Sequence, residues 1–293
     1  MNKQKSILSQ YRKRNPFQEF IYRFSQNKGA VVGFFVLLGI FFLAIFSDVI
    51  FYYQKDISQI SRDMLAKPSW EHPFGTDSVG RDLFKRVLYG TRYSIAIAVA
   101  VVTVTMAIGM PIGAICGFYG GKVDLYVMRV INVIGDIPDL LMGFLVITAL
   151  GQSMTALVAA LSISGIPAIA GITRTSIMTV RSMEYVESAR AIGQKKFYIT
   201  FRHCLPNCLA PIIVAATFRI GLAIIDASAL SFLGLGVKLP LPEWGALLSD
   251  GRKFIQSAPY LTVFPGLFIM ITVLAFNILG DGLRDALDPK MKK

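Results

Sequence analysis

Arg129, Asn132, Asp136 and Asp139 follow one another at steps of three, four and three within an otherwise apolar run. In an unbroken α-helix those steps put all four side chains on one face over about 15 Å of rise. Arg219 and Asp226, seven residues apart, make a second polar side in another apolar run. Charged groups in such surroundings cost several kcal/mol against lipid, so they must face a protein interior or a wet path. Two uses are open to them: fixing helices by pairing with one another, or meeting the charged ends and amides of a solute in passage. Counted inward from the same side, Asp136 and Arg219 each lie about ten residues, or about 15 Å, deep, so this pair is expected to meet.

A second polar group is the stretch EYVESARAIGQKKFYITFRHCLPN, Glu184 to Asn207, set between apolar runs. As a helix it would place Tyr185, Ala189, Ile192 and Lys196 on roughly one side; Gly193 then permits a turn and Pro206 helps set the start of the next apolar run. The segment is too short to span a bilayer, so it is either a docking element or an ordinary solvated loop. His203, Cys204 and Cys208 supply too few ligands for a closed metal site, and no metal is expected. With Cys116 the cysteines are odd in number, and no structural disulfide is expected.

Catalysis finds little support. No HExxH motif occurs, and the two histidines, His72 and His203, fall on opposite membrane sides in the topology below, so no catalytic residue is assigned. The nearest echo of a phosphate loop is CGFYGGKV, with Cys116 in place of the first glycine and Val123 in place of the magnesium-binding Ser or Thr. Any ATP and magnesium must be held by another chain, and no cofactor is expected here.

These groups sit in a chain of 293 residues that is 54% hydrophobic and 16% charged, with a mean hydropathy of +0.56. That is too apolar for a soluble domain of this length. Apolar runs near 30–50, 94–117, 126–150, 153–173, 208–232 and 260–280 are each long enough to cross a hydrocarbon core. The expectation is an all-α membrane protein with six transmembrane helices. Its net charge of +12 gathers before the first run, between the fourth and fifth, and after the last. The positive-inside rule then puts both termini and the Glu184–Asn207 stretch in the cytoplasm, and removes nucleic acid as a partner. The run 30–50 lacks a cleavage pattern and is expected to stay as an anchor.

The expected organisation is a cytoplasmic segment 1–29, an anchor helix 30–50, an outer loop 51–92, a five-helix core 93–280 containing the cytoplasmic loop 174–207, and a cytoplasmic tail 281–293. In the outer loop, Leu83, Phe84, Val87 and Leu88 suggest a short helix lying on the membrane interface. Trp244, in a second outer loop, suits a headgroup boundary. Gly109, Gly113 and Gly117 would let another helix approach closely. Gly135 with Pro138, and Pro265 with Gly266, mark expected bends.

The pattern Glu187-x-Ala189-x-x-x-Gly193, followed by His203-x-Leu205-Pro206, resembles the cytoplasmic "EAA" loop of bacterial ABC importer permeases. HPFGTDSVGRD, LSFLGLG, WGALLSDGR and LAFNILGDGLRDALDP extend the resemblance to the second permease subunit of the dipeptide, oligopeptide and nickel transporter family. Ser188 stands where the generic motif has alanine, a small-for-small change. The resemblance implies a type I ABC importer permease fold in the bacterial cytoplasmic membrane. Implied partners are a second, similar permease, two cytoplasmic ATP-binding subunits and an extracytoplasmic substrate-binding protein. It also implies that Glu187, Ala189 and Gly193 make the coupling contact with an ATP-binding subunit. Peptides are the favoured solute, because neither His nor Met forms a soft-metal path; nickel or another small solute is the alternative. An ion-coupled secondary transporter would use Asp136, Asp139 and Asp226 as ion sites but leaves the coupling stretch without a purpose.

Overall fold

The computed structural model describes residues 15–60, 63–237 and 240–287. Ten helices position everything that follows: α1 (Pro16–Gln26), α2 (Lys28–Ile50), α3 (Leu83–Tyr119), α4 (Gly121–Gly135), α5 (Asp139–Leu150), α6 (Met154–Val180), α7 (Glu184–Ala191), α8 (Leu209–Phe232), α9 (Trp244–Gly251) and α10 (Tyr260–Leu287). Short turns fill the links between them. Five helices, α2, α3, α6, α8 and α10, are long and apolar enough to cross a membrane; α4 and α5, bent by 86° at their junction, make up to a sixth span.

The core is built on α3 and α6. Gly109, Gly113 and Gly117 recur every fourth residue along α3, and a Cβ on each would come within 3.0, 2.3 and 2.5 Å of the carbonyl oxygens of Ile166, Ala170 and Arg174. Three missing side chains therefore let two backbones touch, the close approach read from the sequence spacing. Ahead of this seam, along the earlier turns of α3 and α6, a continuous apolar core joins residues of α2, α3, α5, α6, α8, α9 and α10.

Helix α3 is longer than the sequence suggests. The separate interfacial helix expected at Leu83–Leu88 is instead the beginning of α3, a single helix of 37 residues. Asp82 starts it by accepting the Lys85 amide at 3.0 Å. Leu83 and Val87 are buried among neighbouring helices rather than laid on an interface. Gly90 lets the chain before α9 lie directly on α3, because a Cβ there would lie 1.9 Å from the Pro242 carbonyl oxygen. Trp244 is likewise not at a headgroup boundary: it is fully buried, and its Nε1 donates to the Val87 carbonyl at 3.0 Å. The expected bend at Pro265 is absorbed in a helix that runs unbroken from Tyr260 to Leu287.

Candidate functional site

Two places carry the polar residues singled out above. The first lies at the end of the bundle where α6 passes through α7 into α8. Helix α7 has one inward face, formed by Val186 and Ala189, which packs with Phe118, Ile177, Val180, Ile199, Cys204, Cys208 and Ile212. Its other residues point away: Glu184, Tyr185, Glu187, Ser188 and Arg190 are exposed. The expected common side of Tyr185, Ala189, Ile192 and Lys196 therefore does not form. The helix stops at Ala191, Ala189 faces inward, and Ile192 beyond it is 79% exposed.

Gly193 makes that stop. Its φ of +84° is left-handed, and no atom lies within 4 Å of a Cβ placed on it, so conformation and not space demands glycine. The chain then presents Phe197 and Tyr198, both exposed, before Ile199 returns to the core. The loop is braced from within. The ring of His203 bonds Gln194 at 2.8 Å, Asn207 donates to the His203 carbonyl at 2.7 Å, and the Arg190 guanidinium lies 5.1 Å from the Phe118 ring centre. Cys204 is free and buried, and burial pushes its thiol pKa up, away from reactivity. The result is a braced surface that exposes Glu184 and Glu187 together with Tyr185, Ile192, Phe197 and Tyr198. Large apolar groups held out in an otherwise charged loop fit contact with another protein.

The second place is the break between α4 and α5. Gly135 ends α4, Asp136 caps it, and Asp139 is the first residue of α5. The bend between the two helices removes Asp139 from the face of Arg129, Asn132 and Asp136, so the expected four-residue stripe is cut after its third member. These three line an open groove of about 1440 Å³ between α4 and α6, together with Lys122, Asp124, Arg174 and Thr175. At one end of the groove Arg174 clasps Asp124 with two hydrogen bonds.

The expected pair of Asp136 and Arg219 does not form either. Arg219 Nη1 instead lies 3.5 Å from Asp139 Oδ2 and 3.8 Å from Asp226 Oδ2. Its Nη2 donates to the Leu161 carbonyl at 3.3 Å and to the Ser164 hydroxyl at 3.4 Å. One buried guanidinium thus ties α8 to α6 and to the first turn of α5. Asp139 and not Asp136 reaches Arg219 because the helix is broken across Gly135–Pro138, with α4 and α5 at 86° to each other.

Glu243 escaped the sequence reading. It is 1% exposed, starts α9, and accepts the amides of Gly245 and Ala246 at 2.8 and 2.9 Å and the Ser94 hydroxyl at 3.4 Å. Burial pushes its pKa up against the pull of those donors. Little in the sequence signals it, since the residues favoured at an N-cap are Ser, Thr, Asp and Asn, and here a glutamate takes that place.

Comparison with known proteins places this geometry. Residues 109–293 match the family described as binding-protein-dependent transport system inner membrane component, and residues 15–68 match the N-terminal TM domain of oligopeptide transport permease C. The chain is 42% identical to the dipeptide transport system permease protein DppC of Alkalihalophilus pseudofirmus, over 97% of this chain and 93% of that one. It is 43% identical to the glutathione transport system permease protein GsiD of Pectobacterium atrosepticum, over 95% and 93% of the two chains. Among solved structures, an inward-facing conformation of the MetNI methionine ABC transporter aligns with a TM-score of 0.58 at 18% identity, over 69% of this chain and 97% of that one.

Proposed function

The chain belongs to the family of binding-protein-dependent transport system inner membrane components, and on that premise we propose that it is one permease half of an ATP-driven importer of di- or oligopeptides. Relatives named for dipeptides and for glutathione, itself a tripeptide, support a short peptide as solute. The observation that carries the mechanism is the exposed surface of Glu184–Tyr198, packed onto the bundle through Val186 and Ala189.

In this reading that surface faces the cytoplasm and is gripped by an ATP-binding subunit. Glu187 and the aromatic pair Phe197 and Tyr198 make the contact. Ala189 serves from the inner side, where its small side chain seats α7 against the bundle, and Gly193 supplies the turn that aims the aromatic pair outward. A push on α7 passes directly to α6 and α8, which it joins. The chain itself neither binds nor hydrolyses ATP; two ATP-binding subunits do so, and a separate binding protein delivers the peptide on the outer side. Both termini are cytoplasmic.

The groove lined by Arg129, Asn132 and Asp136 is this chain's share of the path, closed by a second, similar permease. Its mixed charge suits a zwitterion, with Arg129 opposite in sign to Asp136. The cluster at Arg219 holds the broken α4–α5 pair to α6 and α8, so movement at the break must rearrange that cluster. The test is ATP-dependent accumulation of a labelled dipeptide in proteoliposomes containing this chain, its partner permease, the ATP-binding subunits and the binding protein. Accumulation that needs this chain supports the reading. Full accumulation without it, or ATP hydrolysis by the isolated chain, contradicts it.

A further inference from the structure

We propose that α1 is an in-plane anchor that seats on the anionic phospholipid surface of the leaflet next to it. The helix is not a continuation of α2: Asn27 leaves the helical conformation between them, and its side chain accepts the Ala30 amide at 3.1 Å to start α2 afresh. At 100° per residue, Phe17, Phe20, Ile21 and Phe24 fall within one arc of α1, while Glu19, Arg23 and Gln26 occupy the other side. Glu19 and Arg23 pair there at 2.9 Å.

Among the described residues, only part of the apolar arc is used. Phe20 and Phe24 stack at 6.1 Å between ring centres, and Phe24 meets Phe34 of α2 edge-on at 6.4 Å. Phe17 and Ile21 remain 70% and 49% exposed. The Phe24–Phe34 contact makes the arc continuous with the exposed aromatic side of α2, where Phe34 and Phe35 belong to a helix apolar enough to span the bilayer. Asn27 fixes the corner by donating to Asp285 of α10 at 3.2 Å. An apolar arc continuous with a lipid-facing surface, backed by a paired polar side, fits a helix lying in the headgroup layer.

Charge names the lipid. The chain ahead of α1, residues 1–14, holds Lys3, Lys5, Arg12, Lys13 and Arg14 and no acidic residue. Basic groups next to an interfacial helix are drawn to an anionic leaflet, and the attraction accumulates with each residue near the surface. The inference needs α2 to span a membrane but does not depend on what is transported.

The experiment uses the full chain in nanodiscs, with a nitroxide attached at Ile21→Cys or at Gln26→Cys; the three native cysteines are buried. Accessibility to oxygen, which partitions into lipid, is compared with accessibility to a water-soluble nickel chelate. The expected result is shielding from nickel at position 21 and exposure to it at position 26. The contrast should grow when phosphatidylglycerol is added to phosphatidylcholine, and should shrink when the five basic residues are changed to glutamine. Equal nickel access at both positions overturns the proposal. So does shielding at position 21 that arises only when ATP-binding subunits are added, which would make the arc a protein interface. A contrast indifferent to phosphatidylglycerol and to the basic residues overturns the anionic-lipid assignment.

Discussion

The geometry at Arg219 sets unequal costs for its neighbours. Removing the guanidinium leaves Asp139 and Asp226 facing each other, whereas removing Asp139 leaves Arg219 its second carboxylate, 3.8 Å away. We therefore expect Arg219→Gln to destabilise the purified complex by about 3 kcal/mol, near the lower end for an orphaned buried charge. Asp139→Asn should cost about 1 kcal/mol or less, because that side chain is 39% exposed. In an Arg219→Gln background, Asp139→Asn should restore part of the loss. Asp136→Asn should be additive with Arg219→Gln, since the two do not meet. A double-mutant cycle on thermal unfolding checks all four, and coupling of Arg219 to Asp136 in place of Asp139 would contradict the assignment. The sequence made the cluster's composition legible, since ionisable residues in apolar runs stand out. It did not make the pairing legible, because Gly135 and Pro138 announce a bend but not its angle.

Helix packing rests on positions where a side chain cannot be added. A Cβ at Gly113 would sit 2.3 Å from the Ala170 carbonyl oxygen, while one at Gly171 would meet nothing within 4 Å. Gly113→Ala should therefore cost about 1–3 kcal/mol through overpacking. Gly171→Ala should be neutral or stabilising by up to about 1 kcal/mol, from helix propensity alone. Similar losses from both would mean that α3 and α6 do not meet along the glycine seam. Glu243→Ala should cost about 1–2 kcal/mol as the loss of a buried cap, with α9 the first element to gain hydrogen exchange. The sign of its pH dependence follows from its raised folded pKa. This group's contribution to stability is full below its unfolded value, about 4.5, and falls as pH rises through the folded one. Element positions were readable because spans are long and apolar. The fusion of the outer helix into α3 was not, since the first turns of α3 are buried by segments distant in the chain, as where Trp244 Nε1 bonds the Val87 carbonyl across 157 positions. The amphipathic α1 was legible in its period but hidden in a segment dense with charge.

At the scale of the whole molecule, the proposed function requires Ser78 and Arg190 to lie on opposite membrane faces and ATP-driven motion to enter at the Glu184–Tyr198 surface. The motif that located this surface was readable because its spacing is fixed by a short helix and one left-handed turn. The inward position of Ala189 was not, since it depends on which face of α7 packs against Ile177, Val180 and Ile212 of its own bundle. The central claim is tested most directly by cross-linking in membranes that carry the full complex. Ile192 projects beside the proposed contact at 79% exposure, so a cysteine there should be joined by a short bifunctional reagent to an ATP-binding subunit, with a yield that changes when ATP is added. A cysteine at position 78 should give no such product. Failure of position 192 to cross-link while position 78 does, or a product at 192 whose yield ignores ATP, would contradict the claim that this surface couples the chain to ATP hydrolysis.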